Sequence, residues 1–343
     1  MGPKKRALVI INPVAGQKNA NRHLTAITDT LFNGGYLPTV ATTSKTRSGK
    51  ALVHAYGKSV DLIVCIGGDG TLHEVISGVI DYCKDTPIGF IGAGTTNDFA
   101  KGLGLSTDIA SATQNLLTGT PTPLDIGNFG GERFSYIACC GAFASASYSA
   151  SRQMKNSIGH LAYILECIRT LPELRPIHMR IETDGAVYED DYIFFAACNT
   201  TSIGGVLRLD GHVVDLQDGL LEFLLIKAPK NISELTQVVN NLQTRKYTSS
   251  LIHMFHSSHV TVHTKNPVSF SLDGERFSPS RTFTVSVLPH AVKLLVPSET
   301  AKALSSTGKS RKSRPRRSNK NEANHPLPCR RRAHDCAQRT QRS

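Results

Sequence analysis

The chain has 343 residues, 40% of them hydrophobic and 19% charged, which is long enough for two cores and too apolar for an intrinsically disordered protein. Its formal charge of +12 is confined to one end: residues 299–343 hold 13 Lys and Arg against 3 acids, leaving 26 basic and 24 acidic residues in the body, so a nucleic-acid partner is not expected of the body. A disulfide scaffold is excluded because the 8 cysteines form no CxxC pair and several sit inside apolar runs, and a membrane span is excluded because no stretch approaches the ~18–20 apolar residues it needs.

Through roughly the first 120 residues, short apolar runs alternate with helical patterns. Ala7–Ile11, Leu62–Ile66 and Ile88–Ile91 read as strands, and each ends in a loop bearing Gly or Pro that leads toward a helix. The first run stops at Asn12-Pro13 and is too short for a signal peptide. This alternation predicts a parallel α/β sheet, whose ligands bind beyond the carboxyl ends of the strands.

The strand at Leu62–Ile66 runs into Gly67-Gly68-Asp69-Gly70-Thr71. Thr71 and Glu74 have the spacing of a capping box, which predicts a helix beginning at the loop. Glycines have no Cβ, so their N–H groups can come close to phosphate oxygens, and a helix amino end adds a favourable dipole. A plain strand-to-helix turn uses the same residue types. The next strand, however, repeats the design in Gly92-Ala93-Gly94-Thr95-Thr96-Asn97-Asp98. Two such loops on successive strands lie side by side, and each brings one aspartate, the group commonly set beside nucleotide phosphates to hold Mg2+. The Walker A pattern is absent. The earlier loop, Asn12-Pro13-Val14-Ala15-Gly16, is everyday turn chemistry by itself.

From about Leu124 strands dominate: Phe134–Cys139, His178–Glu182, Tyr192–Cys198, Leu220–Ile226, Val260–His263 and Val268–Leu272. Helical patterns interrupt them at Ser157–Thr170 and at Asn231–Gln243, the latter with Ile232, Leu235, Val239 and Leu242 on one face and a cap at Asn231 and Glu234. Phe270-Ser271-Leu272-Asp273-Gly274-Glu275-Arg276-Phe277 carries the Asp-Gly of a tight hairpin. It also offers a carboxylate able to draw the proton from an attacking hydroxyl. His253, His256, His259 and His263 have no spacing that suits a metal site. After Leu294–Pro297 the composition turns to Ser, Lys, Arg, Pro and Asn, a disordered basic tail that can also attract anionic lipid.

Taken in order, Asn12-Pro13 with Gly16, the Gly67–Thr71 loop, the Gly94–Phe99 loop, Leu124-Asp125-Ile126-Gly127 and Leu272-Asp273-Gly274-Glu275 resemble the bacterial soluble diacylglycerol kinase family, related to sphingosine and ceramide kinases. Ser147-Tyr148, Lys155-Asn156, Gly159–Leu165 and Asp218-Gly219 add to the resemblance, which spans about residues 6–297. It implies an α/β nucleotide-binding domain over residues 1–123, an antiparallel β-sandwich lipid-substrate domain over 124–298 whose last strand returns to the first domain, and the tail at 299–343. It also implies ATP as co-substrate, with Asn12, Thr43, Gly67, Gly68, Asp69, Gly70, Thr71, Gly94, Thr95, Thr96 and Asn97 around the nucleotide. Asp69, Asp98 and Asp125 would form a Mg2+ network at the phosphates. Asp273 would be the base with Glu275 beside it, and Asp218, or Asp215, would hold a second, structural Mg2+. The segment Asp210–Gly219 departs from the family pattern, with Gln217 where an acid is frequent.

The expected activity is phosphorylation of a lipid hydroxyl, diacylglycerol to phosphatidate, by a cytoplasmic enzyme working peripherally at the membrane surface. Two alternatives stand beside it: an NAD kinase of the same superfamily, which shares Gly-Gly-Asp-Gly, and a non-enzymatic protein that binds through its basic tail. The sequence leaves open whether the chain forms a homodimer.

Overall fold

β1 (Lys5–Ile11) opens with two exposed cations and then buries every residue to its end. That is the pattern of a strand covered on both faces. β2 (Tyr36–Thr42) pairs with it in parallel on one side and β3 (Leu62–Gly67) on the other, and β4 (Ile88–Gly92) continues beside β3, giving the order β2-β1-β3-β4. In this computed structural model residues 4–15, 20–94, 97–141, 175–200, 202–203, 207–208 and 214–312 are described. Five helices connect and cover the strands: α1 (Leu24–Asn33), α2 (Gly49–Tyr56), α3 (Asp69–Tyr82), α4 (Asp98–Gly102) and α5 (Ile109–Thr118). Strand residues alternate between the two faces. Ala7, Val9, Val64 and Ile66 meet Ile27 and Leu31 of α1 and Leu116 of α5, while Leu8, Ile10, Ile63 and Cys65 meet Leu52 of α2 and Leu72, Val75 and Val79 of α3.

β2 had no apolar run to announce it. Its half-exposed residues and Pro38 suit an edge strand, which needs neither full burial nor every N–H.

The remaining strands are β5 (Thr120–Phe129), β6 (Glu132–Phe134), β7 (Ile137–Gly141), β8 (Ile177–Thr183), β9 (Val187–Cys198), the short pair β10 (Ser202–Ile203) and β11 (Leu207–Arg208), β12 (Leu221–Lys227), β13 (Ile252–Ser257), β14 (His259–Leu272) and β15 (Glu275–Val296). Except where β15 passes β4, their pairings are antiparallel. β15 pairs antiparallel with β14 and β5, and Leu294 lies in parallel register with Ile88 of β4. The last strand therefore returns to the parallel half and makes one continuous sheet of 13 strands. An aromatic cluster fixes the β14–β15 hairpin to β5: ring centroids lie 4.7 Å apart for Phe129–Phe270, 4.2 Å for Phe270–Phe283 and 5.1 Å for Phe129–Phe283. Such pairs add about 0.5–1.5 kcal/mol each beyond buried area.

Several expectations need correction. The single strand expected at Phe134–Cys139 is broken between β6 and β7, because the N–H groups of Ser135, Tyr136 and Ile137 turn to a carboxylate instead of a neighbouring strand. Helix α6 (Ile232–Gln243) is capped as expected, with Asn231 Oδ1 accepting from Glu234 N at 2.9 Å, but Ile232 is 81% exposed, and the buried positions are Val238 and Asn241, with Leu242 packed against the core. The chain does not lose structure at Glu299. Helix α7 (Ser298–Lys312) follows β15 directly, with Ala301 buried and Leu304 packed against the core, so apolar contacts outweigh the polar composition of its first turns. The helix expected at Ser157–Thr170, together with Ser147, Lys155 and Gly159, lies outside the described residues, as does the chain after Lys312. His253 and His256 fall on β13, and His259 and His263 on β14.

Candidate active site

The carboxyl ends of β3 and β4 bring the two glycine loops into backbone contact. A Cβ on Gly94 would stand 2.5 Å from the Cα of Gly68, and one on Gly68 would stand 3.2 Å from the Cα of Gly94. Glycine is therefore required at both positions, and the two loops touch through Gly68 and Gly94. Asn97 locks the second loop in a left-handed conformation, φ 48°. Its Oδ1 accepts from Gly94 N at 2.9 Å and its Nδ2 donates to the carbonyls of Gly92 and Gly94 at 3.2 Å each. Asn97 thus shapes the loop with its side chain. Thr95 and Thr96, like Gly16, lie outside the described residues.

The first loop leads into α3, which starts at Asp69 with Gly68 as its cap. The expected capping box does not form. Thr71 Oγ1 instead accepts from Asn12 Nδ2 at 3.1 Å, and Glu74 Oε2 accepts from Gly49 N at 2.6 Å, at the start of α2. Asn12 is thereby tied to α3, while Thr43 follows β2 with its N–H on Ile11 O. Gly70 faces the hairpin, where Glu275 Oε1 lies 3.4 Å from the place of a Cβ.

Three aspartates from three elements converge here. The Asp69 carboxylate accepts from the N–H groups of Asp98 at 3.1 Å and Phe99 at 3.2 Å, joining the first loop to the start of α4. Burial pushes Asp69 above the usual carboxylate range, and the charges of Asp98 and Asp273 add to this against the two backbone bonds. Asp273 is the first residue of the two-residue hairpin turn, at φ 50° followed by Gly274 at φ 89°, as the Asp-Gly turn reading expects. Its oxygens accept from Ser135 N at 2.5 Å, Tyr136 N at 3.0 Å and Ile137 N at 3.1 Å, and contact His73 Nδ1 at 3.2 Å. Tyr136 is buried beside all three acids, and its phenol is raised far above the ordinary value, first by burial and then by the charges of Asp273, Asp69 and Asp98.

His73 was not singled out in the sequence. The signal was its position one helical turn after Asp69. Burial pulls its imidazole down, but the hydrogen bond and charge of Asp273, with Glu275 and Glu74 nearby, outweigh burial and hold it above its ordinary value.

Asp125 belongs to a second group of acids. Its Oδ1 accepts from His290 N and its Oδ2 from Gly219 N, both at 2.8 Å, and Asp218 is a charged neighbour. Oδ1 of Asp215 accepts from Gln217 N and Oδ1 of Asp218 from Leu220 N, each at 3.0 Å. The resemblance set Asp125 with Asp69 and Asp98; its described partners lie in the loop after Val214 and at the bend of β15.

Residues 6–129 match the family described as the diacylglycerol kinase catalytic domain, and residues 138–296 match the YegS C-terminal NAD kinase beta sandwich-like domain. A diacylglycerol kinase of Bacillus subtilis is 31% identical over 303 residues, covering 88% of this chain and 99% of its own length. One from Staphylococcus saprophyticus is 29% identical over 278 residues, covering 79% of this chain and 89% of its own. The crystal structure of a diacylglycerol kinase from Bacillus anthracis superposes with a TM-score of 0.66 over 86% of this chain and 98% of its own, at 20% identity, a likeness of fold.

Proposed function

The chain belongs to the diacylglycerol kinase family and is an ATP-using lipid kinase, and from that premise we propose that it transfers the γ-phosphoryl group of ATP to the free hydroxyl of diacylglycerol, giving ADP and phosphatidate. The observation that carries this reading is the meeting of the two glycine loops, in contact through Gly68 and Gly94, with Asp69, Asp98 and Asp273 at the carboxyl ends of β3 and β4. The first loop suits phosphate oxygens, because it opens directly into the first turn of α3, whose amino end adds its dipole. In this reading Gly67, Gly68, Gly70 and Gly94 border the phosphates, Thr95 and Thr96 extend the second loop, and Asn12, Thr43 and Thr71 line the nucleotide side.

Mg2+ fits the donors at hand, which are hard carboxylate oxygens. Asp69 and Asp98 would hold it, and when bound it would neutralise charge on the β and γ oxygens. Among the described residues no three His, Cys, Asp or Glu side chains form a metal cage, which accords with an ion that usually takes one or two carboxylates and completes its shell with water and phosphate. The resemblance also implies a structural Mg2+ at Asp125, Asp215 and Asp218. The backbone N–H groups of His290 and Gly219 hold Asp125, and we read it also as an anchor of the loop after Val214.

Asp273 is the base. Its carboxylate takes the proton of the lipid hydroxyl as that oxygen bonds to the γ phosphorus and the bond from phosphorus to the ADP oxygen breaks. Fixing the carboxylate beforehand is its main contribution, since phosphoryl transfer is catalysed chiefly by positioning and charge. Glu275, facing Gly70, keeps the hairpin beside the glycine loop. No helix of the described residues is long and apolar enough to cross a membrane, and we place the enzyme peripherally, meeting its lipid at the bilayer surface.

Incubating the protein with γ-labelled ATP and, separately, dispersed diacylglycerol, ceramide, sphingosine or NAD tests the reading. Label is expected in phosphatidate. Label in phosphorylated NAD, or in a sphingolipid alone, would replace it.

A further inference from the structure

The hairpin carrying Asp273 and the helix carrying the glycine loop belong to different halves of the molecule. Base and phosphate cradle must nevertheless keep one register, because an error of about 1 Å in such a geometry can cost on the order of 10²-fold in rate. The three backbone donors to Asp273 come from Ser135, Tyr136 and Ile137, at the β6–β7 break, and tie the carboxylate to the antiparallel half. The fourth contact is different. His73 stands on α3, one turn after Asp69, and its Nδ1 lies 3.2 Å from Asp273 Oδ2. A second tie between α3 and this half is the ion pair of Asp81 with Arg133 at 2.6 Å, roughly 12 Å further along the helix. It fixes the far end of α3 and leaves the loop end to His73.

We propose that His73 is a positioning residue of the phosphoryl transfer, whose imidazole ties the Asp273 carboxylate to the helix that carries the phosphate loop. The inference rests on the lipid-kinase reading above. With Nδ1 donating to Asp273, the imidazole bridges the two halves at the one place where their acids converge. It is only a quarter exposed, with 25% side-chain accessibility against 2% for Asp273, so water does not readily replace it. The negative charges of Glu275 and Glu74 nearby also favour a donor there over another acceptor.

Two substitutions separate positioning from other roles. His73→Leu keeps the bulk and removes the donor. His73→Asn keeps a donor the same number of bonds from the backbone, since Asn Nδ2 stands where Nδ1 did, but has no nitrogen able to take up a proton. Turnover of diacylglycerol should fall about 10- to 100-fold in His73→Leu, with KM for ATP within about threefold of wild type, and His73→Asn should recover kcat to within about threefold. Thermal melting of each variant reports folding, and His73→Ala, read by the same criteria, replaces the leucine variant if that one does not fold. The proposal is overturned if His73→Leu turns over lipid within twofold of wild type. It is equally overturned if His73→Asn is folded yet as inactive as His73→Leu, since the imidazole would then be passing a proton. Failure of the lipid-kinase reading looks different: the wild-type protein itself would not label phosphatidate.

Discussion

The molecule holds two groups of buried aspartates, built from similar parts and suited to different work. Around Asp125, each carboxylate oxygen accepts a backbone N–H, from His290 and from Gly219, and the acids of the loop after Val214 are likewise held by backbone donors. Backbone donors hold these acids, while burial and the charge of Asp218 raise Asp125 above the usual carboxylate range. Asp69, Asp98 and Asp273 come from three elements, and burial, with the charges of Asp98 and Asp273 adding to it, raises the Asp69 carboxyl. They border the two glycine loops where Gly68 meets Gly94. Buried acids are thus not a functional signal by themselves. Acids from three elements gathered at two touching glycine loops are a stronger signal, because that arrangement sets cation ligands beside a helix amino end suited to phosphate.

The largest effect that tests this contrast is expected at Asp273. Asp273→Asn keeps the left-handed turn, which Asn tolerates, while removing the base, and kcat should fall by about 10² to 10⁴. The structure adds a cost to stability, since an amide cannot accept from all four donors, and a loss of about 1–3 kcal/mol is expected in denaturant melts. Turnover near the wild-type value in a folded variant would remove Asp273 from the chemistry.

Next come Asp69→Ala and Asp98→Ala, each expected to raise the Mg2+ concentration needed for half-maximal activity. Because Asp69 caps the segment that carries Asp98, the double variant should lose less than the two single losses added together. Strict additivity without a change in Mg2+ dependence would mean that the two acids do not share a site.

A smaller and opposite pattern is expected at Asp125. Asp125→Asn should cost about 1–3 kcal/mol of stability, by leaving one backbone N–H without an acceptor, and should reduce kcat per folded molecule far less than Asp273→Asn. Burial raises the Asp125 carboxyl above 3.8, so the folded chain keeps this proton to higher pH than the unfolded chain. That contribution to stability is complete below the unfolded value and is lost as pH rises through the folded one. Melting temperature followed from acid toward neutral pH should therefore decline less in Asp125→Asn than in wild type.

The smallest effect lies outside both groups. Residues 313–343 carry 9 Lys and Arg against 2 acids, and truncation belongs after Lys312, not at Ser298, because Ala301 is buried and Leu304 packs on the core. The truncated enzyme should turn over dispersed short-chain lipid normally and sediment less with anionic vesicles at about 0.05 M salt, the difference shrinking near 0.3 M. Coincident sedimentation curves would assign membrane capture to the body alone.

What the sequence determined by itself is what short-range chemistry controls. The apolar runs of β1, β3 and β4, the glycine loops behind β3 and β4, the Asp-Gly turn and the cap at Asn231 are local patterns with one dominant physical reading, and each was legible in chain order. The partners of the acids were not. Asp273 meets N–H groups 136 to 138 residues away and an imidazole 200 residues away, Asp125 meets His290 across 165 residues, and Glu74 turns from its own helix to Gly49. Polar side chains take whichever donor the packed sheets bring near, and many arrangements satisfy the same residue types. Only the path of β15, which closes the antiparallel half and then runs beside β4, decides which acids converge on the glycine loops and which gather in the loop after Val214.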